Sequence, residues 1–397
     1  MRPQLKVGIV GLGLVATPHY RGYASHPGAR VVAVCDRDEA RARAFAAEHG
    51  VPQVYTAFED LLAAGVDVVD IATPTFLHAS MARRAAQAGK HVHCEKPFCR
   101  SVAEGMAACR AAAEHGVVLV VGETYVFLTA HVKARELIEA GEIGRPLQVR
   151  QRHGAWLERP GARVYTGPAD RNWRVDGERS GGGDYPWIFD HAVHFFAAAE
   201  YFLLDDPVDR AYAIPARTGG GAPHSGAAHD PYTSAEVDIP VITWTHSQPD
   251  RQGVWVRAER LNGKYDYMRG FSTSIMGETG MIEVLGEGGH NLLWEGRQVH
   301  LVLHRQGQES LPLRFEEGGD DVWESEICYY SQGHVHQVHH LLDCVLEGRR
   351  PRYGGEDGVR AVRATLAAIR SAREGRPVRL DEIEDDYTAY PGQGAPP

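Results

Sequence analysis

The stretch Lys6–Ala16 narrows the choice of folds more than any other part of the chain. A short apolar run, Lys6-Val7-Gly8-Ile9-Val10, passes straight into Gly11-Leu12-Gly13-Leu14-Val15-Ala16, and the residues that follow can open a helix. Strand, glycine-rich turn and helix in that order suit a bound pyrophosphate. Gly11 permits the tight turn, Gly13 admits close backbone approach and small Ala16 lets helix and strand pack, while the helix start offers free N–H groups and positive potential. Gly11, Gly13, Leu14 and Val15 are therefore candidate cofactor contacts. A second apolar run, Val31–Cys35, ends in Asp36, at the distance expected of a carboxylate that binds a ribose 2′-hydroxyl. Asp36 favours NAD by repelling a 2′-phosphate, whereas Arg37 beside it would welcome one, so NAD is expected and NADP is the alternative. The competing reading of Asp36 is a strand-end turn residue.

The first third continues the alternation of short apolar runs with Ala-rich helical stretches, the pattern of a doubly wound parallel sheet, or Rossmann domain. Strands are expected at Lys6–Val10, Val31–Cys35, Val68–Ile71, His91–Cys94 and Val117–Val121, and helices at Ala40–His49, Ala79–Ala88 and Val102–His115. The character changes near Tyr125, which places a boundary between residues 1–124 and 125–397. A helix over Ala130–Ala140 and a strand over Leu147–His153 lead into alternating segments at Ala235–Thr245, Val254–Leu261, Thr279–Leu285 and Gln298–His304. These predict a second domain of α+β type, built on an open, mainly antiparallel sheet. Pro215–Pro231, poor in large apolar residues, reads as a surface loop. Two closing helices, His334–Glu347 and Gly358–Glu374, are expected to pack back toward the first domain.

A chain of 397 residues suits two domains, and its 43% hydrophobic and 24% charged residues are those of a globular protein. The net charge of -10, without a basic block, argues against nucleic acid and for a small-molecule partner. No stretch reaches the ~20 apolar residues of a membrane span. The start of the chain runs directly into a strand, and the six cysteines are scattered without CxxC pairs, so a reducing, cytoplasmic setting is expected.

Two further segments are more specific. Ala72-Thr73-Pro74-Thr75-Phe76-Leu77-His78 follows the Val68–Ile71 run, and His93-Cys94-Glu95-Lys96-Pro97-Phe98 closes the next. With Gly11–Ala16, Gly181-Gly182-Gly183, Asp190-x-x-x-His194 and the closing Gly355-Glu356-Asp357-Gly358 and Gly375-Arg376-Pro377-Val378 segments, the chain resembles the Gfo/Idh/MocA family. That family is named for glucose–fructose oxidoreductase, inositol dehydrogenase and a rhizopine-catabolism protein. The resemblance spans nearly the whole chain. It implies NAD(P)-dependent hydride transfer at a secondary alcohol of a sugar, sugar derivative or cyclitol, without a metal. It also implies a homo-oligomer, dimer or tetramer, associating through the exposed face of the second sheet.

By the same resemblance Lys96 contacts the reacting hydroxyl, and Asp190 and His194 form the acid–base pair. Thr73, Pro74 and His78 line the nicotinamide side, Glu95 joins the cofactor contacts, and Glu123 and Tyr125 lie near the cofactor ring. Glu123 departs from the Asn often found there, and Asp184–Phe189 lengthens the usual spacing between the triple glycine and the Asp. Trp173, Arg174 and His191 are candidate substrate contacts; an aromatic face suits a sugar ring and a guanidinium suits hydroxyls, phosphate or carboxylate.

The residues offer coherent chemistry by themselves. Oxidising a secondary alcohol needs a base for the proton and a cation for the developing alkoxide. Lys96 falls at the C-terminal edge of a parallel strand, where open α/β sheets bind ligands; the competing reading is a solvated lysine. Asp190 and His194, four apart, share a helix face, and an imidazole titrating near ~6.5 suits a general base whose ring the carboxylate can orient. An incidental polar pair is the alternative. Asp190, His191 and His194, and separately His336, His339 and His340 beside His334, have spacings a metal could use, yet no metal is expected. The rival functions are a lyase or glycosidase that oxidises a ring carbon transiently, and a non-catalytic NAD-binding protein.

Overall fold

The computed structural model describes residues 4–153, 173, 177–217, 237–257, 272–285, 292–294, 297–314 and 328–384. The N-terminal part alternates strand and helix in the order β1 (Leu5–Val10), α1 (Ala16–Ser25), β2 (Ala29–Cys35), α2 (Glu39–His49), β3 (Gln53–Tyr55), α3 (Phe58–Ala63), β4 (Val68–Ile71), α4 (Thr75–Gln87), β5 (His91–Glu95), α5 (Val102–Glu114) and β6 (Leu119–Gly122). All six strands are parallel, in the order β3-β2-β1-β4-β5-β6. The chain changes direction of winding between β1 and β4, which opens a crevice at the C-terminal ends of the strands. Helices on both faces explain why β4 and β6 are buried along their whole length.

The second part comprises α6 (Thr129–Glu139), β7 (Pro146–His153), α7 (Gly177–Ser180), α8 (Pro186–Phe202), β8 (Val208–Arg217), β9 (Val237–His246), β10 (Gln252–Arg257), β11 (Ser272–Gly277), β12 (Gly280–Leu285), β13 (Leu292–Trp294), β14 (Arg297–Val299), β15 (Leu301–Arg305), β16 (Leu311–Leu313), α9 (Cys328–Glu347), α10 (Gly355–Glu374) and β17 (Val378–Arg379). Nine of these strands form one sheet, β16-β15-β12-β11-β7-β10-β9-β8-β17, antiparallel except where β7 meets β10. β13 and β14 form a separate ribbon.

Helix α8 lies on this sheet and is held there by aromatic contacts. Phe195 stacks on Trp255 with centroids 4.7 Å apart at 14°, and Phe196 meets Trp244 edge-on at 5.1 Å. The Gln151 amide donates to the Phe195 carbonyl at 2.9 Å. The closing helices join the two parts, α9 packing on α1 and α10 on both α5 and α8.

The main differences from the sequence-based expectation are short or interrupted elements. β3 has three residues, too few to show alternation, and β8 and β11 carry polar residues that hide them. α4 opens at Thr75, not Ala79, because Pro74 sits at its N-terminal flank, where a missing N–H costs nothing. The expected strand at Gln298–His304 is divided at His300. Pro215 to Arg217 end β8; the rest of the expected loop lies outside the described residues. Among the described residues no helix is long and apolar enough to cross a membrane.

Because Trp255 is fully buried under α8, Trp255→Ala should lower the unfolding free energy by about 3–5 kcal/mol in a denaturant titration, the usual cost of emptying a large core site. An unchanged midpoint would mean that α8 is held elsewhere.

Candidate active site

The glycine-rich turn between β1 and α1 is shaped as a cradle. Gly11 has φ +86°, and a Cβ there would stand 2.6 Å from the Ala72 carbonyl oxygen. At Gly13 the same atom would meet nothing within 4 Å, so open space adjoins the backbone where an anion can approach. No side chain caps α1; the Ala16 N–H turns back to the Gly13 carbonyl at 3.2 Å and Pro18 has no N–H, so in the first turn the Thr17 N–H is the donor left to a ligand. Leu14 is 74% exposed and Val15 half-buried at this rim. The turn therefore fits a dinucleotide.

Asp36 closes the other side of the turn. Its carboxylate accepts from the Leu12 N–H at 2.9 Å, the Asp38 N–H at 2.9 Å and the Arg41 guanidinium at 3.3 Å. Arg37 is exposed, so the guanidinium that reaches this carboxylate comes from Arg41, one turn into α2. Thr73 and Pro74 are half-buried after β4, whereas His78 is buried. The His78 ring lies between the Pro97 carbonyl at 2.8 Å and the Thr73 carbonyl at 2.6 Å, tying the turn after β4 to the turn after β5. Burial lowers its pKa, and a neutral ring donates to one of those oxygens at a time.

Beyond β5 the Lys96–Pro97 peptide is cis. The Lys96 ammonium donates to the Asp190 carbonyl at 3.1 Å and its carboxylate at 3.4 Å, with the two side chains 15% and 6% exposed. His191 Nδ1 lies 3.6 Å from the same carboxylate. Asp190 and His194 do share a face of α8, but the partner of the His194 ring is not Asp190. His194 Nδ1 donates to Glu123 Oε1 at 2.5 Å, and the ring stacks on Tyr125 with centroids 4.6 Å apart at 23°. Glu123 also accepts from the Tyr125 N–H at 3.1 Å. Tyr125 is steadied in turn by His131, whose Nδ1 donates to its carbonyl at 2.7 Å and whose pKa burial pulls down to about 4. Trp173 is half-buried; Arg174 lies outside the described residues.

The histidines singled out for a metal do not converge. His334 faces Glu95 at 3.7 Å, His336 donates to the Phe127 carbonyl at 3.1 Å, His339 lies 2.9 Å from the Ser25 hydroxyl and His340 accepts the Arg352 N–H at 2.8 Å. Among the described residues the groups whose ligand atoms do converge are His19, Asp70 and His93, and His19, Glu95 and His334. His19, Asp70 and His93 escaped the sequence reading because their clustering depends on the packing of α1 against two strands.

Residues 5–123 match the Gfo/Idh/MocA family's NAD-binding Rossmann fold, and residues 135–380 match its C-terminal alpha/beta domain. The chain belongs to this family of oxidoreductases. It is 27% identical to the NAD(+)-dependent scyllo-inositol 2-dehydrogenase of Bacillus subtilis, over 98% of this chain and 99% of that one. It is 26% identical to the 2,7-anhydro-N-acetylneuraminate hydratase of Mediterraneibacter gnavus, over 94% of this chain and 96% of the relative. The solved structure of an oxidoreductase from Agrobacterium radiobacter in complex with NAD+, L-tartaric acid and magnesium superposes with a TM-score of 0.75. At 22% identity over 96% of this chain and 100% of that one, this likeness is one of fold.

The open space at Gly13 makes a sharp expectation. Gly13→Ala should leave thermal stability unchanged or raise it by up to ~1 kcal/mol, since alanine restricts the unfolded chain. NADH binding, followed by fluorescence, should weaken on the order of tenfold because the added methyl stands where the pyrophosphate approaches. Unaltered NADH affinity would move the cofactor away from this turn.

Proposed function

We propose that this oxidoreductase transfers a hydride between NAD and a secondary alcohol carbon of a sugar, sugar derivative or cyclitol, with Lys96, Asp190 and His194 at the reacting group. The observation that carries the reading is that the Lys96 ammonium, at the C-terminal edge of the parallel sheet, bonds to Asp190, one turn of α8 before the His194 imidazole that Glu123 holds. The scyllo-inositol dehydrogenase relative supports the cyclitol and sugar class. Residues 1–124 would hold the cofactor and residues 125–397 the substrate. NAD would rest on Gly11, Gly13, Leu14, Val15 and Asp36, with Thr73, Pro74 and Glu95 toward its reactive end. When bound, its nicotinamide supplies the hydride acceptor or donor.

The protein's own residues then divide the work. The Lys96 ammonium donates to the substrate hydroxyl and stabilises the charge that develops on its oxygen. His194, engaged at Nδ1 by Glu123, takes the hydroxyl proton at Nε2, and the Glu123 carboxylate stabilises the resulting imidazolium. Asp190 positions Lys96. Burial strengthens each of these interactions. A hydratase among the relatives keeps a second reading in view, in which a ring carbon is oxidised and reduced again within one turnover.

Two physical settings belong to the same proposal. Tyr212, Ile214 and Val256 expose apolar side chains on the second sheet, which supports a homo-oligomer through that face. The thiols of Cys35, Cys94, Cys99, Cys109 and Cys344 are unpaired, which suits the cytoplasm.

A panel of aldoses, cyclitols, their phosphates and glycosides, followed by NADH absorbance and product mass together, tests the reading. NADH formed in step with oxidised product is expected; product without net NADH would favour the second reading. Lys96→Ala should lower kcat on the order of 10²–10³-fold and His194→Ala about 10²–10⁴-fold, without additivity in the double variant. Glu123→Gln should cost about 10–100-fold, the equivalent of the ~1.5–3 kcal/mol carried by a hydrogen bond to a charged group. Near-normal turnover in both the Lys96 and His194 variants would remove the site. For the cofactor, NAD should bind more tightly than NADP and Asp36→Ser should weaken or reverse that order; tighter NADP binding by the unaltered protein would show that the arginines outweigh Asp36.

A further inference from the structure

Beneath the Glu95-Lys96-Pro97 turn lies a buried group of polar side chains of which the proposed site uses Glu95 alone. His19 comes from α1, Asp70 from β4, His93 and Glu95 from β5, and His334 and Gln337 from α9. His19, Asp70, His93 and Gln337 are fully buried. His19 Nδ1 lies 3.0 Å from Asp70 Oδ2, and its Nε2 lies 3.1 Å from Glu95 Oε1. His93 Nδ1 approaches Asp70 Oδ1 at 3.1 Å. The His19 ring is flanked by those of His93, with centroids at 4.9 Å, and His334, at 5.2 Å. Tyr23, one turn along α1, is buried beside Asp70, and the Lys96 charge acts on His334.

An ionised carboxylate oxygen only accepts, so an imidazole that faces one with each nitrogen must carry a proton on both. His19 is therefore an imidazolium: its Nε2 proton goes to Glu95 Oε1 at 3.1 Å, which is nearer than the Gln337 amide nitrogen at 3.3 Å, and its charge sits between two buried negative ones. The electrostatics agree: burial opposes the charged ring, yet Asp70 and Glu95 raise its pKa to about 10. Burial likewise favours a neutral Glu95, and His19 holds that group down to about 2. His334 is neutral, its pKa drawn by burial to about 3, and it accepts from the Gln337 amide at 3.1 Å.

The bond network leads to the site. Glu95 Oε1 is held by His19 and, at 3.4 Å, by Gln337, while Glu95 Oε2 accepts the backbone N–H of Lys96 at 3.3 Å. Across the sheet, a Cβ on Gly122 would stand 2.8 Å from Glu95 Oε1, so a glycine there leaves the carboxylate its room. We propose that His19 is a positioning residue: bonded as an imidazolium to Asp70 and Glu95, it fixes the Glu95 carboxylate and through it the backbone of Lys96, keeping the Lys96 ammonium against Asp190. A metal at either converging group would need a His19 nitrogen free of its proton; here that proton already supplies the positive charge.

The inference rests on the reading of Lys96 as the substrate-facing group, but its test needs no substrate. Full-length protein carrying 15N-labelled histidine, with His19 assigned by comparison with His19→Gln, should show both His19 nitrogens protonated at about pH 9, below the raised pKa. Acetic anhydride labelling read by mass spectrometry should find Lys96 reacting on the order of tenfold faster in His19→Gln, because its unpaired state is populated more often. Lys133 on α6, whose side chain is 43% exposed and paired with Glu136, should be unchanged. His19→Gln/Asp70→Asn, which removes charge and counter-charge together, should recover thermal stability while Lys96 stays fast. Recovery of slow labelling in that double variant would show that His19 only balances charge.

A neutral or metal-bound His19 at pH 9, or Lys96 labelling unaltered by His19→Gln, would overturn the proposal. Should His19→Gln fail to fold, Asp70→Asn carries the labelling test, with a smaller acceleration expected and none overturning it. Loss of NADH binding by the unaltered protein would count against the proposed function and leave this inference standing.

Discussion

The bond between the His194 ring and the Glu123 carboxylate sets a demand that the surrounding structure has to meet. Both groups are almost wholly buried, and an ionisable pair in that setting is tolerated only when it is closely matched and further bonded. Glu123 follows the last strand of the parallel sheet, and His194 lies in the middle of α8. The pair therefore forces α8 to approach the cofactor edge of the first sheet. The stacking of Phe195 on Trp255, at the next residue and so about 100° around the helix, sets another face of α8 on the second sheet. One helix thus carries two obligations, apolar on one face and ionic on another.

The same helix explains why Lys96 and His194 can act as separate groups although their positions are close. Asp190, one turn earlier, spends its carboxylate and its carbonyl on Lys96, leaving Glu123 to fix the imidazole. With one carboxylate for the ammonium and another for the imidazole, each polar group has its own low-entropy placement. Tyr125 adds a flat wall behind the imidazole, and His131, kept neutral by burial, holds that wall from below.

The parts legible in the sequence were those fixed by local rules. The turn at Gly11–Ala16 announces itself because only glycine accepts φ +86° beside the Ala72 carbonyl, and the i,i+4 spacing of Asp190 and His194 places them on one face whatever the fold. What those side chains bond to is another matter. Periodicity cannot show that Glu123, which lies 71 positions before His194, is the nearer acid, since that contact is made by the docking of α8. The clustering of His19, Asp70, His93 and Glu95 was equally hidden, because it arises where one helix crosses two adjacent parallel strands. Conversely, the crowding of His334, His336, His339 and His340 on one helix suggested convergence, yet the mixed environment of α9 sends each ring to a different partner. Short strands such as β3 were missed for a simpler reason: three residues carry no measurable alternation.

Asp36 shows how such hidden contacts bear on cofactor choice. Its carboxylate is bonded to the Leu12 N–H, so its orientation is coupled to the same turn whose backbone would meet the pyrophosphate. A 2′-phosphate near it would face a charge that cannot easily turn away. Arg41, however, reaches that carboxylate with a side chain that is about half exposed and free to adopt other rotamers. While Arg41 rests on Asp36 it neutralises part of the repulsion, and if it swings outward it offers a guanidinium to the phosphate instead. In the proposed site, then, preference between NAD and NADP depends on the pairing of Asp36 with Arg41 and less on the adjacent Arg37. The acid alone does not decide it, because what a 2′-phosphate meets is the charge of the pair.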